Sequence, residues 1–514
     1  MERFFKHIPA TIIICLLTLF TTELQADGIE ITISKGRGTT YSLLNRITEQ
    51  TSLFLIYDSR LIENDKRVRV ESGSYKLEEY IRTITGNNRL NIKIEGNHLL
   101  IYIPADAEDT ITLPSRDKAP PSLDSQNEVT FFSLSGRLKD RITGEPIVYG
   151  TVSVDNYPLG TVTNNNGDFK LTLPDSLLGT YIKFSHLGYL TRTIEASLLS
   201  GQELTFWMDQ RIIPLQEIVV RAIDPHKTLR EMLSARSANY SKEPVYLTTF
   251  YREGVEYKEN ITLSEAVLKI YKTGINYSTS SEQVKVLKMR RLSNPDQKDT
   301  LVTKIKSSIN SSLLLDLVKN PPDFLIHTGN QPIYDYSHTD ITVIDDRRVY
   351  VISFKQKEHI TAPLYRGKLY IDALNFALVE ARFEVNPEYV KLTKDDIIIK
   401  SSRSIEIIPE SISYIVSYKP YDGVYYLNHV RGDLKFKVRR KRRVFGSSLH
   451  AWFDMVNCNT EISDISPFTR NERISTRDIF SEMTYSYDKD FWGNFNVIIP
   501  EDNLKEFIRK YNFK

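Results

Sequence analysis

From Val245 onward one pattern dominates the sequence: stretches of alternating apolar and polar residues separated by short turns. VYLTTFYRE, ITLSEAVLKIY, QVKVLKM, DITVID, RVYVISFK, GKLYIDA, ALVEARFEV, SISYIVSY, VYYLNHV, DLKFKV and SLHAWFDMV follow one another in this way. Successive side chains of an extended chain point to opposite faces, so each stretch can bury one face only. So many half-buried strands in succession predict a single large antiparallel sheet, strongly curved, with a half-barrel as one form of it. A helix is expected over His226 to Ala238, and helical interruptions fall near 310–319. A last helix is expected over 501–511, where Leu504, Phe507, Ile508 and Tyr511 share one face. These helices are expected on the concave side of the sheet.

The front of the chain is organised differently. Residues 27–103 form a small α/β unit in the order strand, helix, two strands, helix, two strands. IEITI alternates, Leu43, Leu44 and Ile47 mark one helix face, and Leu77, Tyr80, Ile81 and Ile84 mark a second at i, i+3, i+4 and i+7. Residues 104–131 carry Pro104, Pro114, Pro120 and Pro121 among polar residues, a linker composition. Residues 132–222 hold about seven short strands with turn signals, which predicts a β-sandwich. In it, GTVTNNNGDFKLTLP is expected to form a hairpin, with Asn166 and Gly167 suiting the positive φ of a tight turn. Residues 223–514 make up the large antiparallel β-domain. The fold class is therefore multidomain α+β.

Charge and cysteine content narrow the functions. Of 514 residues, 67 are basic and 65 acidic, a formal charge of +2, so bulk nucleic-acid binding does not follow. Of the two cysteines, Cys15 lies in an apolar leader, so a processed chain would keep Cys458 alone and form no internal disulfide. The leader itself, MERFFKH followed by IPATIIICLLTLFTT, has a positive start and an apolar core shorter than the ~20 residues of a spanning helix. Residues 1–26 are read as a signal peptide cleaved after Ala26, and no later apolar run reaches membrane length.

The sequence carries few motifs of known chemistry. No histidine has a glutamate three residues on, and no His-Glu-x-x-His occurs. Gly446-Ser447-Ser448-Leu449-His450 lacks the second glycine of a nucleophile elbow and is placed between strands. Gly36-Arg37-Gly38 is assigned to a turn, as are Asp345 and Asp346. No catalytic residue, metal site or cofactor is expected. The one local charge anomaly is Lys435, Lys437, Arg439, Arg440, Lys441, Arg442 and Arg443, a candidate anion-binding patch. Lys435 and Lys437 alternate with Phe436 and Val438 and so share a strand face; the arginine cluster falls where that strand should turn.

Four resemblances rest on these segments. YSLLNRITEQTSLFLIYD and YKLEEYIRTITGNNRLNIKIEGNHLLIY, with their spacing, resemble the secretin and TonB N-terminal domain. Gly136, Gly144-Glu145-Pro146, Gly160, Thr161, Asn166-Gly167-Asp168-Phe169 and Leu187-Gly188-Tyr189 resemble the carboxypeptidase-regulatory-like domain, a transthyretin-type sandwich found at the front of outer-membrane glycan transporters. GKLYIDALNFALVEARFEV is similar to a hairpin of periplasmic lipoprotein-carrier half-barrels, and FYRE with SEAVLKIY resembles uncharacterised envelope proteins.

These resemblances imply an exported, non-enzymatic modular protein of a Gram-negative envelope, in the periplasm or on the periplasmic face of the outer membrane. The first domain would dock an envelope protein partner, and the whole would serve as a binding or signalling accessory to glycan or nutrient uptake. Its ligand would be a glycan, a lipid or another anionic envelope molecule. Glu217, Ile218, Val219 and Val220 stand where such transporters carry their energy-coupling box, and a structural role as the last sandwich strand is expected for them. After Ala222 the chain is too short for a plug and a barrel of about 22 strands. A shortened TonB-dependent transporter component, a lipid-binding carrier and an unrecognised hydrolase remain as alternatives.

Overall fold

The computed structural model describes residues 30–51, 54–58, 62, 66–95, 98–102, 130–201, 203–211, 224–258, 260–293, 304–305, 309–326, 333–394, 398–400, 405–440, 446–476, 492–502 and 504–506. The leader, residues 217–220 and nearly all of the linker lie outside them. The chain divides into two compact units, Met1–Lys118 and Ala119–Lys514.

The first unit runs β1 (Glu30–Ile33), β2 (Gly36–Thr39), α1 (Thr40–Thr51), β3 (Phe54–Asp58), β4 (Arg67–Val70), β5 (Gly73–Lys76), α2 (Leu77–Thr85), β6 (Asn91–Glu95) and β7 (His98–Tyr102). β3 pairs in parallel with β7, which pairs antiparallel with β6; β1 joins β5 and β2 joins β4. Leu43, Leu44 and Ile47 of α1 and Leu77, Tyr80, Ile81 and Ile84 of α2 meet in one core, as their spacing predicts. Gly36-Arg37-Gly38 is not a turn. It belongs to β2, because pairing with β4 satisfies backbone groups whatever side chains the strand carries.

The second unit opens with β8 (Phe131–Asp140), β9 (Thr151–Val154), β10 (Gly160–Val162), β11 (Asp168–Pro174), β12 (Tyr181–Ser185), β13 (Arg192–Glu195) and β14 (Glu203–Met208). β10, β9, β12 and β13 form one sheet in that order, while β11 and β14 flank β8. Between the sheets Phe169, Phe184 and Phe206 pack ring to ring, Phe184 and Phe206 stacked at 4.4 Å. The Asn164–Asp168 turn forms as its residues suggest: Gly167 has φ 78°, and the Asn164 side chain accepts from the amides of Asn166 and Asp168. It does not close a hairpin, however. β10 pairs with β9 and β11 with β8, so the turn carries the chain from one sheet to the other.

Two helices, α3 (Pro225–Ser234) and α4 (Arg236–Asn239), lead into the large domain. Its strands are β15 (Val245–Tyr257), β16 (Asn260–Lys272), β17 (Gln283–Ser293), β18 (Lys304–Ile305), β19 (Tyr334–Ile344), β20 (Arg347–Gln356), β21 (Tyr365–Asp372), β22 (Leu378–Val385), β23 (Ile398–Lys400), β24 (Ile405–Tyr421), β25 (Val424–Arg440) and β26 (Ser447–Glu461), with helix α5 (Ile309–Leu314) between β18 and β19. Ten of them form one antiparallel sheet in the order β17-β16-β15-β26-β25-β24-β22-β21-β20-β19; β18 and β23 pair apart. Among the described residues the edge strands β17 and β19 do not meet, so the sheet is open. Register shifts such as those at Thr248/Thr249, Val267/Leu268 and Pro409/Ser411 bend and twist it. Ser447–His450 belong to β26 and do not lie between strands, because they continue the β25 ladder through Val438↔Ser447.

The two faces of this sheet differ. The inner face carries the main core, including Tyr251, Leu268, Phe354, Phe383 and Phe436, and is covered by Leu229 and Met232 of α3 and by Leu313, Leu317, Val318 and Phe324 of the segment 309–326. The outer face holds charges in register across five strands: Arg290↔Glu265↔Arg252↔Asp454↔Arg431. The sandwich and a strap, residues 492–502, cover this row. Val162 of the sandwich packs with Phe250, Val267, Val456 and Cys458 of the sheet and with Val497 and Ile498 of the strap. Asn496 of the strap accepts from the Thr172 amide at 2.6 Å and donates to its carbonyl at 3.2 Å. Cys458 is buried there, its thiol 3.3 Å from the Asn496 carbonyl, and burial pushes it up to about 12. Gly188 donates to the Val343 carbonyl at 2.7 Å, and Lys183 reaches Asp345 at 3.0 Å. Asp345 and Asp346 are turn residues, at φ 49° and 59°, but Asp345 also ties the sandwich to the sheet.

Arg252 is 1% exposed. It donates to Glu265 at 2.7 Å and to the Ile498 carbonyl at 2.6 Å, while Arg290 reaches the other oxygen of Glu265 at 2.7 Å. Replacing Arg252 with Met leaves a buried carboxylate short of a partner, and the expected loss is about 3–5 kcal/mol in urea unfolding, with faster proteolysis within 492–502. Burial pushes the Asp454 carboxyl up, but Arg431, with His429 and Arg252, outweighs it and holds it down at about 2. An unfolded Asp titrates near ~3.9, so this contribution is complete above about pH 4 and is lost as pH falls toward 2. Asp454→Asn should be less stable at pH 7 and show a flatter acid limb when unfolding free energy is measured against pH.

Candidate functional site

The inner face borders a half-open, mainly apolar cavity of about 310 Å³. Its floor comes from four neighbouring strands and their partner β26: Tyr365, Val385, Ile412, Tyr414, Leu434 and Phe453. The α5 segment supplies Ser311, Leu314 and Leu315, and Pro363 and Thr393 complete the wall. The floor follows from register, since Tyr365↔Val385, Ile412↔Leu434, Phe383↔Tyr414, Tyr414↔Gly432 and Gly432↔Phe453 are cross-strand partners on the core-facing side. Tyr365, Phe383 and Tyr414 form a ring cluster with centroids 5.3 to 6.3 Å apart. Burial pushes the Tyr414 phenol well up, so the hydroxyl stays protonated at neutral pH. Leu314 is 50% exposed at the edge of this space.

The segment bearing α5 is held by a buried polar cluster. Tyr418 donates to Asp316 at 2.9 Å and accepts from the Val318 amide at 3.1 Å. Lys272 bridges Asp316 at 2.6 Å and Glu282 at 3.0 Å; Lys319 bonds Glu282 at 2.6 Å and both oxygens of Thr273. Burial raises the Asp316 carboxyl, and Lys272 more than reverses this, so it remains ionised.

A second, more open space of about 690 Å³ crosses β19, β20, β21, β22 and β24. Each strand contributes three consecutive residues, centred on Tyr336, Phe354, Gly367, Phe383 and Tyr414, which are in register. Phe324, which stacks on Phe354 at 4.5 Å from the inner side, does not line it. The space is therefore a trench on the outer face, floored by the backbone of the central row and walled by the side chains on either side. One wall is Asp335, Lys355, Arg366, Glu384 and Ser413; the other is Ser337, Ser353, Lys368, Arg382 and Ile415. At Gly367 a Cβ would lie 2.3 Å from the Arg382 carbonyl oxygen, so only glycine allows β21 to approach β22 this closely.

A third space, of about 30 Å³, lies between sandwich and sheet beside Lys183, His186, Asp345 and Lys419. Burial pushes the Lys419 amine down to about 8, with Asp345 offsetting part of that. The volume suits about one water and not a substrate.

The residues singled out in the sequence are placed as follows. Lys435, Lys437 and Arg439 lie on the side of β25 opposite the buried Phe436 and Val438. Arg440 ends β25, and Lys441, Arg442 and Arg443 lie outside the described residues, as do Glu217, Ile218, Val219, Val220 and Ala26. Lys435 and Lys437 line neither the cavity nor the trench. Among the described residues no group of three or more His, Cys, Asp or Glu could hold a metal ion, and no helix is long and apolar enough to cross a membrane. The cavity and trench residues are spread from Ser311 to Phe453. Only strand order brings them together, so no local motif announces them.

Tyr418 serves both sides of the polar cluster. Tyr418→Phe should cost about 1–3 kcal/mol in thermal unfolding and speed amide hydrogen exchange within 309–326 before it affects the sheet.

Comparison with known proteins reaches parts of the chain. No curated protein sequence matches it. Among solved structures, a LolA superfamily protein from Nitrosomonas europaea aligns at 9% identity over 48% of this chain and 96% of its own, with a TM-score of 0.17. A putative outer membrane lipoprotein-sorting protein domain from Vibrio parahaemolyticus aligns at 7% identity over 48% and 96%, with a TM-score of 0.20. A DUF1329 family protein from Desulfovibrio piger aligns at 10% identity over 47% and 95%, with a TM-score of 0.21. At these scores the alignments carry no assignment for the domain. Residues 134–220, which include the sandwich strands from β9 onward and most of β8, match the CarboxypepD_reg-like domain.

Proposed function

We propose that the protein is a non-enzymatic, exported envelope protein whose large sheet binds the apolar chain of a lipid in the inner-face cavity. The observation that carries this reading is the cavity itself: about 310 Å³ beneath α5, lined by Leu314, Leu315, Tyr365, Val385, Ile412, Leu434 and Phe453. That volume lies at the lower end of the ~300–1,000 Å³ usual for small-molecule sites, and the mostly apolar wall suits an acyl chain better than a sugar. Two tyrosines and Ser311 could hold a polar end. The sandwich would serve as a rigid support for the sheet, through the strap and the Lys183–Asp345 pair. The first unit, with its resemblance to the secretin and TonB N-terminal domain, would dock an envelope partner, with the periplasm or the periplasmic face of the outer membrane as the site of action.

The test is titration of the purified protein with 11-dansylaminoundecanoic acid, followed by displacement with palmitate. Saturable fluorescence enhancement that palmitate reverses is expected. Leu314→Glu places a carboxylate at the half-exposed edge of the cavity and should weaken binding about tenfold or more, a burial cost of at least ~1.4 kcal/mol, with little change in melting temperature. No enhancement, or equal binding by the variant, would overturn the reading.

A further inference from the structure

The charges along the outer-face trench do not balance as those beneath the sandwich do. Under the sandwich, signs alternate from strand to strand in register. The same row continues past Arg431 as Ile415, Arg382, Lys368, Ser353 and Ser337. Lys368 thus has a cation directly opposite on one side and a serine on the other. Like charges directly opposed across a ladder are destabilising. In the parallel wall, Arg366 follows the same strand, and Lys355 immediately follows the Phe354 that pairs with Gly367. Four cations on three adjacent strands therefore border one bare stretch of backbone at Gly367.

Their carboxylates are only partly matched. Arg366 pairs with Glu384 at 2.7 Å and Arg382 with Glu380 at 2.5 Å. Asp335 stands opposite Lys355 but not within ion-pair distance, and among the described residues neither Lys355 nor Lys368 has an ion-pair partner. Both lysines are exposed. The exposed lining of the trench is mostly apolar, and Ser337, Ser353 and Ser413 set hydroxyls among it.

We infer that this trench binds a linear acidic oligosaccharide, its carboxylate or sulfate groups seated between Lys355 and Lys368 and its hydroxyls bonded by the serines, Asp335 and Glu384. A concave space crossing five strands admits an extended chain and not a flat bilayer. The aromatic residues of the central row pack their rings inward, against Phe324 and one another, and so leave no ring on which nucleic-acid bases could stack. Carboxylates set among the cations would repel a uniformly charged polyanion, yet they accept hydrogen bonds from sugar hydroxyls. This site is separate from the inner-face cavity and does not depend on what that cavity holds.

The test is isothermal titration of the purified protein with an oligogalacturonate of about ten sugars, with maltoheptaose, a poly-glutamate peptide and phosphatidylglycerol vesicles as comparison probes. Oligogalacturonate should bind, weaken as salt is raised, and lose about tenfold or more in affinity in Lys355→Ser/Lys368→Ser, because counterion release and direct pairing both fall. The melting temperature should not fall, since both side chains are exposed and removing Lys368 relieves its opposition to Arg382. Lys435→Ser/Lys437→Ser, on the same face but outside the trench, should bind as the wild type does. Undiminished binding by the Lys355/Lys368 variant, equal binding of maltoheptaose, or binding of the peptide or vesicles without the oligogalacturonate would each overturn the inference.

Discussion

The fold of the second unit depends on a line of charges that has no water to fall back on. Arg290, Glu265, Arg252, Asp454 and Arg431 sit opposite one another on five consecutive strands, beneath the sandwich and the 492–502 strap. Removing such groups from water is costly, and the cost is offset only while every partner keeps its place. A shift of one residue in any of these ladders would turn a charge inward, onto the apolar core, and bring Tyr251 or Phe453 outward. The row therefore fixes register for half the sheet. It also fixes where the sandwich can sit, because the Ile498 carbonyl and Glu501 complete the coordination of Arg252.

Among the described residues the sandwich reaches the opposite half of the sheet only at one end, around Val343, Asp345, Glu380 and Lys419. Beyond that end the strands keep their aromatic row inward, against Phe324, and expose their charged rows. One sheet thus presents two surfaces of different chemistry back to back over the same strands: an apolar floor under α5 and a cationic trench outside. Tyr414 and Phe383 belong to both, through their rings on one side and their backbone on the other.

Strand positions were legible because alternation is local. VYLTTFYRE, RVYVISFK and GKLYIDA became β15, β20 and β21. Helix faces in the first unit were legible for the same reason. What the sequence conceals is which strand lies beside which. Asn164–Asp168 has every residue of a hairpin turn, and its geometry is that of a turn, but partner choice was made by β8 and β9 elsewhere in the chain. The run Lys435 to Arg443 drew attention because its cations are adjacent in sequence. Lys355, Arg366, Lys368 and Arg382 are scattered over three strands, and only register assembles them.

Cys458, the thiol of the described chain, lies against Asn496 with its proton held tightly, so it should be nearly inert to alkylating reagents while the strap is seated. Any opening that lifts residues 492–502 exposes it before the sheet itself comes apart. The protein therefore carries its own reporter: the rate at which iodoacetamide consumes this thiol measures how often sandwich and sheet come unfastened, without any added label.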